Sequence, residues 1–144
     1  MINIKTYQDL SNEEIYQIFK IRSEVFVVEQ QCIYQDIDNK DPGAYHCFIK
    51  DKQGNIIAYL RLLKSGVSYS NACSIGRVLV IKTDRHKGYA TQIMKSIIDF
   101  TFNTLNEKKI IISAQEYLIS FYSSMGFFID GEGKTNLSFF GNLD

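Results

Sequence analysis

Residues 75–113 limit the fold more than any other part of the chain. An apolar run, residues 75–81, leads through the basic turn Arg85-His86-Lys87-Gly88-Tyr89-Ala90 into residues 91–105, where Ile93, Met94, Ile97, Ile98, Thr101 and Leu105 recur at helical spacing. Residues 109–113, Lys-Ile-Ile-Ile-Ser, form a short β-branched run after it. A strand that feeds a crossover helix and then a second strand makes a parallel pair, with the helix packed on one face of the sheet. The turn permits two readings. Backbone N–H groups at a helix N-terminus lack intrahelical partners and carry the positive end of the dipole. With Gly88 allowing close approach and Arg85 and Lys87 adding charge, they suit a pyrophosphate. A basic turn that merely opens a helix would look the same over six residues.

Around this unit the pattern supplies the rest of a mixed sheet. Residues 2–6 alternate as a first strand. Ser11-Asn12-Glu13-Glu14 is a capping box opening a helix whose apolar face includes Ile15, Ile18, Phe19 and Phe26 and which ends near Val28. Residues 45–50 and 56–64, joined by the turn at 51–55, read as an antiparallel hairpin, and residues 73–81 as the next strand. Residues 118–125 form a short helix ended by Gly126. Residues 127–129 and 136–140 then make a last hairpin around Gly131 and Gly133. The order β-α-β-β-β-α-β-α-β-β is that of an α+β fold. At 144 residues and 45% hydrophobic content the chain fits one domain, residues 1–144. The segments 35–44 and 65–71, rich in turn formers, are the expected flexible spots.

Arg85-x-x-Gly88-x-Ala90 resembles the Arg/Gln-x-x-Gly-x-Gly/Ala signature of the GNAT N-acetyltransferase superfamily, in the place that family has it. Phe121-Tyr122-Ser123-Ser124-Met125-Gly126-Phe127 is similar to the second signature, a helix carrying Tyr that ends in Gly-Phe. Val25-Phe26-Val27-Val28-Glu29-Gln30, Asp36-Ile37-Asp38, His46, Ala58-Tyr59-Leu60-Arg61-Leu62-Leu63, Ile75-Gly76-Arg77-Val78 and Ala114-Gln115 resemble the ElaA branch. The resemblance implies a GNAT-like mixed β-sheet with splayed central parallel strands flanked by helices. It also implies acetyl-CoA as cosubstrate, its pantetheine arm lying in the gap as an extra strand would. Carried onto this sequence, Val78, Leu79 and Val80 would offer backbone groups to that arm. Arg85, His86, Lys87, Gly88, Tyr89, Ala90 and Thr91 would hold the pyrophosphate. Gln115 stands where many relatives carry an Asn that bonds the cofactor. Tyr122 stands where they carry a general acid.

The chemistry implied is acyl transfer from a thioester to an amine of a small molecule or peptide. Attack needs a neutral nitrogen, which costs a lysine-type amine about 4.6 kcal/mol at pH 7 and a peptide α-amine only about 1.4 kcal/mol. His46, with a pKa suited to neutral pH, and Glu29, after an apolar stretch, are the candidate bases. A hydrogen-bonded structural imidazole and a solvated or salt-bridged helix end are their alternatives. Tyr122 could protonate the departing thiolate, or only pack beside Phe121 and the cofactor. Gln115 could equally be a strand-end surface amide. Arg77 could orient substrate, but pairing with Asp36 or Asp38 is the favoured reading. The chain departs from the ElaA-like pattern after Asp130, where a terminal acidic-Asp-Gly-Ile-x-His segment is absent, which bears on acceptor choice and turnover. An acyl-CoA-binding sensor without efficient catalysis is the second function class.

Sixteen basic and sixteen acidic residues give zero formal net charge, which disfavours nucleic-acid and anionic-membrane partners. No apolar stretch suits a bilayer span, and residues 1–10 lack the form of a signal peptide, so a cytoplasmic address is expected; a monomer or homodimer is the expected assembly. Cys32, Cys47 and Cys73 show no paired metal-ligand spacing. They read as reduced, mostly structural thiols, with no metal expected.

Overall fold

The computed structural model describes residues 2–129 and 136–141. Its strands are β1 (Ile2–Thr6), β2 (Tyr45–Lys50), β3 (Ile56–Leu63), β4 (Cys73–Val80), β5 (Lys109–Ser113), β6 (Phe128–Ile129) and β7 (Asn136–Phe140). Its α-helices are α1 (Asn12–Arg22), α2 (Tyr89–Asp99) and α3 (Ile119–Ser123). The strands form one sheet in the order β1-β2-β3-β4-β5-β7-β6, antiparallel throughout except for the parallel pair β4–β5. That pair is the one the strand–helix–strand pattern predicts, with α2 as its crossover.

The two helical layers divide the core. On one face Leu10, Ile18, Ile21 and Val25 pack on Phe48, Ile56, Tyr59 and Leu79. On the other Ile93, Met94 and Ile97 pack on Cys47, Ile49, Leu60, Leu62, Ile75, Ile110 and Ile112. Alternation along β2 sends Phe48 to the α1 side and Cys47 and Ile49 to the α2 side. β3 is buried along its whole length because helices cover both of its faces.

Ser11 Oγ accepts from the Glu14 N–H at 3.0 Å and Glu14 Oε1 accepts from the Ser11 N–H at 2.9 Å, the predicted capping box. The Glu14 carboxylate also pairs with Lys5 of β1 and Lys50 of β2. Both long helices end in widened turns. Bonds reach five residues back, from the Gln30 N–H to Val25 C=O and from the Leu105 N–H to Phe100 C=O, carrying the helical path to Glu29 and Thr104.

Two expectations are corrected. Segment 35–44 is anchored rather than free: Asp36, Asp38 and Asp41 are bound by Arg22, Arg61 and Arg77, so its turn-forming carboxylates are counter-charges, buried at Asp36 and Asp41 and partly exposed at Asp38. The short helix expected over 118–125 is narrower, a tight turn at Glu116–Leu118 followed by α3. Gly131 and Gly133, expected to turn the last hairpin, and most of the atypical segment after Asp130 lie outside the described residues; β7 is the part that is seen.

Candidate active site

β4 pairs with β5 only through its first three residues, Cys73 with Ile110, Ser74 with Ile111 and Ile75 with Ile112. Beyond Ile75 they part. On the other side of β4, Tyr59 pairs with Leu79 but Arg61 with Gly76, so β4 uses three steps where β3 uses two. This β-bulge holds Arg77 at φ +52, in the left-handed region, and bends the strand away from β5. The gap is a cleft of about 800 Å³ walled by β4, the 84–91 turn, residues 112–122 and the end of the α1 path at Val25, Phe26, Glu29 and Gln30.

At one end of the cleft Gly88 is the N-cap of α2 with φ +86, a conformation that L side chains rarely adopt. No side chain caps this helix, and the Gln92 N–H bonds back to Gly88 C=O, so the N–H groups of Tyr89, Ala90 and Thr91 have no helical partner. His86, at φ +66, lies on the same turn, and Lys87 is drawn to Asp84 at 3.3 Å. The Arg85 side chain has local work instead. Its Nε donates to Val80 C=O at 2.8 Å, and its two terminal nitrogens grip the Glu29 carboxylate at 2.5 and 2.9 Å.

The edge of β4 is selective. The Ile81 N–H donates to Ile57 C=O, so by antiparallel alternation Leu79 exchanges bonds with Tyr59 while Val80 turns its backbone away from β3. Leu79, expected to offer backbone groups to the cleft, therefore spends them on β3 and buries its side chain on the α1 face. Val80, with Val78 in the bulge, is left on the cleft side.

Tyr122 is 4% exposed, with Phe121 and Phe127 edge-on to its ring. Burial pushes its phenol up to about 12. It lines the cleft, and among the described residues no hydrogen bond engages its hydroxyl. Gly126 closes α3 at φ +112, where a Cβ would run into the Phe139 ring; this fixes the Gly-Phe ending that brings Phe127 against Tyr122. Gln115 lines the cleft mouth as an exposed residue preceding the 116–118 turn.

The two candidate bases part company. His46 is outside the cleft: Nε2 lies 3.0 Å from Asp41 C=O, which can only accept, so Nε2 carries the proton and Nδ1 accepts from the Tyr59 hydroxyl at 2.7 Å. With burial pushing its pKa down, His46 is a neutral, fully engaged imidazole, and the structural alternative replaces the base assignment. Glu29 does line the cleft, but the Arg85 pair holds its carboxyl below the usual range.

Arg77 binds Asp36 through Nε at 2.8 Å and Asp38 through a terminal nitrogen at 3.3 Å, the pairing favoured from sequence. The same cluster contains Arg22, 0% exposed, on Asp36 and Asp41, and Arg61 on Asp38 and Asp41. Arg22, Asp41 and the cleft-lining Phe26, Tyr117 and Phe121 were not singled out for the site from sequence. Arg61 inside an otherwise apolar strand was the available signal, since a buried guanidinium requires carboxylates. Cys47 and Cys73 are buried, with the Cys47 thiol pushed up to about 12 by burial, while Cys32 is exposed. Among the described residues no three candidate ligands cluster as a metal site, and no helix is long and apolar enough to cross a membrane.

A mixed sheet that opens between its two parallel strands, beside a glycine-turned helix start, is the GNAT acyltransferase architecture. Residues 6–136 match the acetyltransferase (GNAT) domain, and the chain belongs to that family. Within it the chain falls in the ElaA-like branch: it is 34% identical to protein ElaA of Escherichia coli over 122 residues, 84% of this chain and 79% of that protein. The crystal structure of E. coli ElaA superposes with a TM-score of 0.83 at 29% identity, covering 99% of this chain and 100% of the other. An acyl-CoA N-acyltransferase from Pseudomonas aeruginosa superposes with a TM-score of 0.85, also at 29% identity, covering 99% of each chain.

Proposed function

We propose that the protein transfers an acetyl group from acetyl-CoA to a primary amine of a small molecule or a peptide. The observation that carries this reading is the meeting, in one cleft, of the unpaired β4 edge, the free N–H groups after Gly88 and the Tyr122 phenol. Acetyl-CoA supplies the thioester carbonyl and a thiolate leaving group. The Tyr89, Ala90 and Thr91 N–H groups suit its pyrophosphate, with His86 beside them and Lys87 at the exposed rim adding positive charge. The N–H of Val80, whose carbonyl is taken by Arg85 Nε, and the backbone of Val78 suit the amide-bearing arm, and Gln115 lines the same cleft. Tyr122 donates toward the departing sulfur.

Base strength follows from the acceptor. A peptide α-amine, needing only about 1.4 kcal/mol to lose its proton at pH 7, reacts without a strong base. For a lysine-type amine Glu29 is the carboxylate at hand, once it is free of Arg85.

Ligand-dependent melting tests the reading. Acetyl-CoA raises the melting temperature, with about 2.7 kcal/mol of stabilisation at a hundredfold excess over the dissociation constant, while ATP and NAD do not. Absence of any shift at millimolar acetyl-CoA would sink it. A panel of polyamines, amino acids and peptides, assayed by release of CoA, then identifies the acceptor.

A further inference from the structure

The cleft exists because β4 leaves β5 after Ile75, and the departure coincides with Arg77, a non-glycine residue at φ +52. A side chain in that conformation is disfavoured, so something must hold it. The Arg77 guanidinium is held from segment 35–44: Nε donates to Asp36 Oδ1 at 2.8 Å, and one terminal nitrogen donates to Asp36 C=O at 3.0 Å and to Asp38 Oδ2 at 3.3 Å. Its carbon lies 5.3 Å from the Tyr34 ring centroid, which covers the face of the guanidinium. Asp36 and Asp38 are themselves fixed to the sheet and to α1, Asp36 by Arg22 and Asp38 by Arg61. The bulge is thus braced from outside β4.

We propose that Arg77 is a positioning residue for the transfer reaction. Its ion pairs to Asp36 and Asp38 offset the left-handed backbone at the bulge and so set where β4 parts from β5 and how Val80 presents its edge. This rests on the reading of the cleft as an acyl-CoA site. One consequence is that the brace and the backbone preference are separable: glycine at position 77 removes the brace but accepts the left-handed conformation, whereas alanine removes the brace and keeps the penalty.

The experiment compares the parent with Arg77→Ala and Arg77→Gly by calorimetric titration with CoA and by amide exchange at 78–80. Arg77→Ala is expected to bind CoA about tenfold more weakly and to exchange faster at 78–80, and Arg77→Gly to recover most of the affinity while both variants lose thermal stability. Equal CoA affinity in all three proteins overturns the proposal, as does an Arg77→Gly variant as weak as Arg77→Ala, which would mean that the side chain itself meets the ligand. If the parent does not bind CoA, the functional reading fails instead. Exchange at 78–80 still decides the brace, because unchanged rates in Arg77→Ala overturn it without any ligand. Should Arg77→Ala not fold, Arg77→Lys replaces it, keeping the penalty while losing the two-pronged grip.

Discussion

With its ring against Phe121 and Phe127 and its hydroxyl unclaimed by the described residues, Tyr122 stays protonated far past neutrality. That is what a proton donor needs, but it has a cost. A phenol near 12 facing a thiol that titrates near 8.5 in water is mismatched by roughly 5 kcal/mol. Transfer is therefore completed only as far as the same burial lifts the thiol; otherwise the hydroxyl serves as a hydrogen-bond donor to the developing thiolate. Tyr122→Phe keeps the ring packing, so the expected result is a fall in turnover of about ten- to a hundredfold with CoA affinity little changed. If the hydroxyl only bonds the cofactor, steady-state kinetics and titration will instead show affinity weaker by about 0.5–1.5 kcal/mol with turnover intact.

At the scale of elements, the start of α2 and the end of the α1 path form opposite lips of one cleft, joined by Arg85 and Glu29. The α2 start depends on Gly88, whose φ of +86 disfavours any L side chain although a Cβ there would meet open space. Gly88→Glu brings bulk, backbone strain and negative charge to the pyrophosphate turn, yet touches none of the core beneath α2. Loss of detectable CoA binding in calorimetry, with the far-ultraviolet dichroism of the parent, is the expected outcome; undiminished binding would reduce the turn to a plain helix start.

At the scale of the molecule, carboxylates locked to cations join helices to the sheet. Burial alone would raise the Glu14 carboxyl, but hydrogen bonds from Lys50, the Ser11 N–H and Lys5 outweigh it and bring it down from 4.5 to about 2. Burial also acts against the Asp38 carboxylate, and Arg61 overcomes it, bringing Asp38 to about 2. A carboxyl depressed in the folded state adds stability above its unfolded pKa and loses it as pH falls through the folded one. Glu14 therefore contributes at most about 3 kcal/mol near neutrality, fading between about pH 5 and 2. Urea unfolding across that range should show stability falling steeply with acid in the parent and more gently in Glu14→Gln; parallel curves would remove Glu14 from the acid response.

How far the sequence reached follows from the range of each interaction. Strand, crossover helix and strand were legible because alternation, helical spacing and the Ser11–Glu14 cap are local signals, and Gly88 and Gly126 mark backbone conformations that a single residue type favours. The family signature named the turn and Tyr122 for the same reason: each motif is a short, contiguous piece of backbone geometry. Apart from the Arg77 pairing with Asp36 and Asp38, what the sequence alone did not decide was which polar groups meet. His46 read as a possible base until Asp41 and Tyr59, 5 and 13 residues away, closed on both its nitrogens. Segment 35–44 read as flexible until three guanidiniums from α1, β3 and β4 converged on its carboxylates. Leu79 read as a cofactor contact until the β3 register claimed its backbone. Those outcomes belong to tertiary structure because pairing of buried charges and strand register join positions as far as 41 residues apart in the chain, on elements whose mutual placement no local pattern encodes.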